Sequence, residues 1–221
     1  MRDDARTIPL LLVAALPTAG SGCLGSSETE FPAGLEPLDE VGAPWPGGDG
    51  EHPETLSTAH GSTDDYDWVH ARGYVHAPLA EVYPALRVPE VNVNRRQVDE
   101  WSVTWDVEDG YDHSYALDLV VHDIITIEYR ITWRHGLIEG TDDAPLLTAA
   151  RYQKTDGTDV IRLKEGSVVA TEVEDGLTGL ELVERMDSLR SDHDTIESYL
   201  RDMYADLLAV AHGEPLPTYD E

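Results

Sequence analysis

From residue 68 to about residue 186, hydrophobic and polar positions alternate with a period of two; beyond that the period lengthens to that of a helix. Residues 68–76 read as a first strand, with Trp68, His70, Arg72, Tyr74 and His76 on one face and Val69, Ala71, Gly73 and Val75 on the other. Pro78 opens a short helix over residues 78–86, where Leu79, Val82, Tyr83 and Leu86 share one side. Strands follow without an intervening helix. In 98–107 the inward set is Trp101, Val103, Trp105 and Val107, and in 114–121 it is Tyr115, Leu117, Leu119 and Val121. In 125–135 it is Ile125, Ile127, Tyr129, Ile131, Trp133 and His135, with Thr126, Glu128, Arg130, Thr132 and Arg134 expected to face water. Further strands fit at 146–154, 160–164, 168–173 and 178–186. Asp109-Gly110, Asp156-Gly157 and Asp175-Gly176 fall between strands and supply the positive φ angles of tight hairpins, so the sheet is expected to be an antiparallel meander.

One amphipathic helix closes the pattern over residues 192–212. Ile196, Tyr199, Leu200, Met203, Leu207, Val210 and Ala211 form its stripe, and Asp194, Glu197, Arg201, Asp202 and Asp206 lie opposite. Asp192 or Ser191 caps its start, and Gly213 with Pro215 ends it, leaving 214–221 as a tail. A lone stripe of this length needs a partner surface, and the concave side of a curved sheet provides one.

The first 67 residues carry no such period. Residues 8–16 are apolar but too few to span a bilayer as a helix, and they suit the core of a signal peptide over 1–22. The small residues Gly20, Ser21 and Gly22 before Cys23 resemble the processing site of bacterial lipoproteins, in which such a cysteine is acylated and becomes the mature N-terminus. That resemblance implies lipidation at Cys23, export, and attachment to the cell envelope; Leu24 after the cysteine favours the outer membrane, with plain secretion as the alternative. Gly20 stands where a Leu-like residue is usual, and the leader has no net positive charge. Residues 23–67 hold eleven carboxylates, no Lys or Arg, and abundant Gly, Pro and Ser, so this stretch is expected to be a disordered acidic spacer.

Composition sharpens the picture. The 221 residues carry a net charge of −29, which excludes non-specific nucleic-acid binding through cationic groups. The charge extends over the spacer and the strand-rich part alike, as expected of a solvating coat. Two lysines against thirteen arginines fit either a saline habitat or a GC-rich genome. A single cysteine rules out an intramolecular disulfide and a cysteine-based zinc cluster.

Strand, short helix, antiparallel strands and a long terminal helix, in that order, resemble the START-like superfamily, also called SRPBCC or helix-grip. The resemblance is carried by GYVHAPLAEVYPAL from Gly73 to Leu86 and by SYLRDMYADLLAVAHG from Ser198 to Gly213. It covers residues 68–213 and implies an α+β helix-grip fold, a curved antiparallel sheet wrapped around the C-terminal helix, with a hydrophobic ligand held between them. The inward positions that would line such a cavity are Trp101, Trp105, Tyr115, Tyr129, Trp133 and His135, with Tyr199 and Met203 from the helix.

Catalytic chemistry has no positive signal in the sequence. The nine histidines make no metal-ligand spacing; His70 and His76, on one strand face, are roughly 20 Å apart. Asp106, Glu108, Asp109 and Asp112 miss the calcium-loop pattern because Gly110 comes one place early. No cofactor, metal or catalytic residue is therefore assigned. The leading expectation is a membrane-anchored, non-enzymatic binder of a lipid, isoprenoid or polyketide-like molecule. The alternatives are a cyclase or aromatase using His135, Tyr129 or Tyr115, and an interaction lipoprotein with a filled core.

Overall fold

A computed structural model describes residues 25–48, 50–189 and 192–219. The stretch expected to be a signal peptide (1–22), Cys23 and the alternative cap Ser191 lie outside these residues. Among the described residues, no helix is long and apolar enough to cross a membrane.

Among the described residues eight strands form one antiparallel sheet: β1 (Leu56–Ser62), β2 (Asp67–Val75), β3 (Glu100–Trp105), β4 (His113–His122), β5 (Thr126–Thr141), β6 (Ala144–Gly157), β7 (Ile161–Glu174) and β8 (Leu177–Ser188). Their order is β1-β2-β8-β7-β6-β5-β4-β3. Strands β3 to β8 are the expected meander, while β2 pairs with β8 and carries the chain's first hairpin to the far edge. Two helices, α1 (Leu79–Leu86) and α2 (Pro89–Asn92), connect β2 to β3, and α3 (His193–Ala211) follows β8.

Strand parity builds the inner face. Across the sheet Ala71 stands opposite Leu182, Leu182 opposite Val168, Val168 opposite Ala150, Ala150 opposite His135, and His135 opposite His113. Because directly opposed residues point the same way, one apolar surface runs continuously under α1 and α3. Helix α3 presents Ile196, Tyr199, Leu200, Met203 and Leu207 to it, and Asp192 caps the helix by accepting from the Thr195 amide.

Several expectations are corrected. Residues 160–164 and 168–173 belong to one long strand, β7. Asp206 is buried, holding Arg95 at 2.6 Å and accepting from the Tyr219 hydroxyl at 2.8 Å, so the tail docks on α3. Thr132 and Arg134 are buried on the outer face rather than solvated.

The cover over Arg134 is the segment expected to be a spacer. Residues 56–62 are strand β1, and residues 25–48 lie along the outer face of the sheet. Outward-pointing side chains supply its hydrogen bonds. Arg134 donates to the carbonyls of Phe31 and Pro32, Gln153 to Glu30, Arg151 to Glu36, and Arg72 to Ala43. In return the Leu38 amide donates to Ser167 Oγ and the Ala43 amide to His70 Nδ1. Phe31 lies 3.6 Å from the Arg134 guanidinium and Trp45 stacks on Tyr74 at 5.0 Å, so these two aromatics of the segment are docked. Composition suggests disorder because it counts only the segment's own apolar groups, whereas the outer face holds the complementary donors.

A candidate ligand cavity

The space between α3 and the sheet is divided in two. Toward the C-terminal half of α3 it is solid: Tyr115, Trp133, Tyr152, Leu200 and Met203 are fully buried, and Trp133 stacks on Tyr152 at 4.1 Å. Toward the helix N-terminus, beside Thr195 and Tyr199, a cavity of about 360 Å³ remains. Its wall is largely aliphatic, with Leu119, Val121, Ile127, Ile131, Val160, Ile161 and Met186, and Tyr129 and Tyr199 lie at its sides.

Of the eight expected lining residues, then, Tyr129 and Tyr199 border the cavity. Tyr115, Trp133, His135 and Met203 face inward but are consumed by core packing. Trp101 and Trp105 share the inner face with Leu119 and Tyr115, yet they sit on edge strand β3 and remain 36% and 49% exposed. The edge strand β3 is thus largely uncovered.

The cavity also holds charge among its aliphatic walls. Lys164 Nζ donates to Glu184 Oε1 at 2.5 Å, and Glu184 Oε2 accepts from the Tyr152 hydroxyl at 2.6 Å. Glu184 is fully buried and Lys164 nearly so. Opposed residues Tyr152, Gly166 and Glu184 lie on three successive strands. Tyr152 reaches Glu184 by crossing Gly166, where an added Cβ would lie 2.1 Å from the Tyr152 ring. Glycine is therefore required at that crossing.

A second polar point faces the first across Tyr199. Lys164 Nζ lies 4.2 Å from the Tyr199 ring centre, and the Tyr199 hydroxyl donates to the Asn92 carbonyl at 3.1 Å. Asn92 lines the cavity and gives its amide hydrogens to Leu86, Val88 and the Tyr115 hydroxyl, while its Oδ1 is buried without a partner. Burial raises the Tyr199 and Tyr129 hydroxyls well above the usual phenol range, with the Glu184 charge adding to it, so both are neutral hydrogen-bonding groups at ordinary pH.

His135 has no place in this chemistry. It is packed against Tyr115, Trp133 and His113 with neither ring nitrogen hydrogen-bonded. Burial, helped by His113 and Arg87, pushes its pKa down to about 3. Such a group is a weak base, and it does not border the cavity. Among the described residues no cluster of three or more His, Cys, Asp or Glu side chains forms a metal site.

No protein-family profile matches the chain, and no curated protein matches it in sequence. Solved structures do match in fold. Human StAR-related lipid transfer protein 5 superimposes with a TM-score of 0.52 at 11% identity, covering 74% of this chain and 85% of that one. The human StarD13 (DLC2) lipid transfer and protein localization domain gives 0.47 at 10% identity, covering 74% and 85%. Zhui aromatase/cyclase from Streptomyces sp. R1128 gives 0.43 at 13% identity, covering 67% and 92%. At these identities the likeness is one of fold: an open, curved antiparallel sheet gripping a C-terminal helix, the START-like helix-grip architecture.

Proposed function

We propose that the chain is an exported protein, attached to the cell envelope through a lipid on Cys23, whose START-like domain binds a small, mostly apolar molecule bearing one polar end. The observation that carries this reading is the cavity of about 360 Å³, with aliphatic walls and polar groups converging at its inner end. Lys164 spends one of its three donors on Glu184 and keeps donors for a ligand oxygen. Asn92 Oδ1 offers an acceptor for a ligand hydroxyl or amide. A fatty acid, an isoprenoid alcohol or a hydroxylated ring system has this combination of body and head. Binding rather than catalysis is favoured because Glu184, the one carboxylate fixed in this cluster, is held by Lys164 and Tyr152.

Uptake of dansyl-undecanoic acid tests the pocket. The full mature chain should enhance its fluorescence saturably, and Lys164→Met should weaken binding by about tenfold, the loss expected for one charge-assisted hydrogen bond. Absence of saturable uptake by the wild type would sink the reading. The anchor is tested separately: radiolabelled palmitate should be incorporated by the wild type and lost in Cys23→Ser, and labelling that persists in the variant would rule the anchor out.

A further inference from the structure

The cavity opens at one end of the sheet, and three elements meet there. Asp123 reaches it from the turn between β4 and β5, Ile127 from the start of β5, Val160 and Ile161 from the entry to β7, and Ser188 from the end of β8. Beside these lining residues stand three large aliphatic side chains turned to solvent: Ile124 at 82% exposure, Ile125 at 41% and Leu189 at 66%. They belong to one rim, because their chain neighbours Asp123 and Ser188 line the same cavity as Val160, whose carbonyl accepts from the Leu189 amide at 3.1 Å. Scattered exposed aliphatics need no explanation, but three around the opening of an apolar cavity do.

The start of the described chain is tied to the same rim. Gly25 accepts from the Asp159 amide at 2.8 Å, and Ser26 pairs with Thr158, two residues before Val160. Cys23 is two residues away, a reach of roughly 7 Å at full extension. With residues 25–48 held on the outer face, no long spacer separates a lipid on Cys23 from the cavity opening.

We infer that this rim, formed by Ile124, Ile125 and Leu189, seats the protein on a lipid bilayer so that the cavity opens onto the membrane. The exchange of ligand with the bilayer rests on the pocket reading above; the seating itself does not. The surface should be electrically neutral, since a chain of net charge −29 is repelled by anionic lipid. Zwitterionic phosphatidylcholine is accordingly the probe.

The test uses the full mature chain carrying Cys23→Ser, so that attachment does not come from the covalent anchor, with and without Ile124→Ser, Ile125→Ser and Leu189→Ser together. In co-sedimentation over a titration of phosphatidylcholine vesicles, the triple substitution should weaken association by roughly tenfold or more, since each side chain contributes buried apolar area. Uptake of dansyl-undecanoic acid from preloaded vesicles should slow by a similar factor, while uptake from free solution stays unchanged. Equal association of the two forms, or none by the parent, overturns the inference. If the parent binds vesicles through the three residues but takes up no probe from solution, the seating stands and the pocket reading fails.

Discussion

Lys164 and Glu184 share a cavity with aliphatic walls, where an ion pair is expensive to place and more expensive to break. Removing one partner leaves an uncompensated buried charge. Lys164→Met should therefore lower stability by about 3–5 kcal/mol in urea unfolding, and Lys164→Met with Glu184→Gln should regain more than half, because Gln still accepts from Tyr152 and carries no charge. A double variant as unstable as the single one would show that packing, not charge, is lost. His135 makes a different prediction. Its folded pKa of about 3 lies below the ordinary 6.5, so as pH falls the unfolded chain takes up a proton that the folded chain refuses. The stability held by neutral His135 is complete above pH about 6.5 and drains away as pH drops toward about 3. His70 and His113, both lowered chiefly by burial, act in the same direction. Acid also relieves carboxylate repulsion, so the informative quantity is a difference. The urea midpoint of His135→Phe minus that of the wild type should grow as pH falls from about 6.5 to 4, and a constant difference would contradict the account.

At the scale of elements, what was legible in the sequence depended on whether the partner surface was local. Period two places Tyr115, Leu117, Ile131 and Trp133 on one face because each strand's own alternation reports it. The same parity puts Glu184 in line with Leu180 and Leu182, and Lys164 in line with Val168 and Ala170, so the buried pair was written in the alternation. Parity cannot tell which part of a face is covered, and Trp101 and Trp105 therefore share the inner face without sharing the cavity. Asp206 is equally opaque, since its partners Arg95 and Tyr219 come from segments distant along the chain or beyond the helix. The segment 25–48 is the largest such case, for its order resides in Arg72, Arg134, Arg151 and Gln153 of the sheet. Backbone amides of Thr29, Leu38 and Ala43, each donating to the sheet, should exchange with deuterium at least about tenfold more slowly than in a free peptide. Arg134→Ala should speed exchange most near Phe31 and Pro32. Free-peptide rates in the wild type would restore the spacer that composition suggests.

For the molecule as a whole, charge and cavity are separate designs that meet at Glu184. Most of the 44 carboxylates repel one another across the surface, so raising salt from about 0.01 M to about 1 M, which shortens the screening length from about 30 Å to 3 Å, should raise the melting temperature. A fall would place net attraction in the surface ion pairs. The cavity has largely aliphatic walls and a fixed, buried polar cluster at its inner end, and this combination is what makes a ligand the central claim. Native mass spectrometry of the full chain purified from its own host tests it most directly, alongside Ile127→Trp, which fills the opening from a half-exposed position. The account predicts a wild-type population carrying one small, solvent-extractable apolar molecule and an Ile127→Trp population without it. A wild type found only at its bare mass, which also fails to take up dansyl-undecanoic acid, would contradict it.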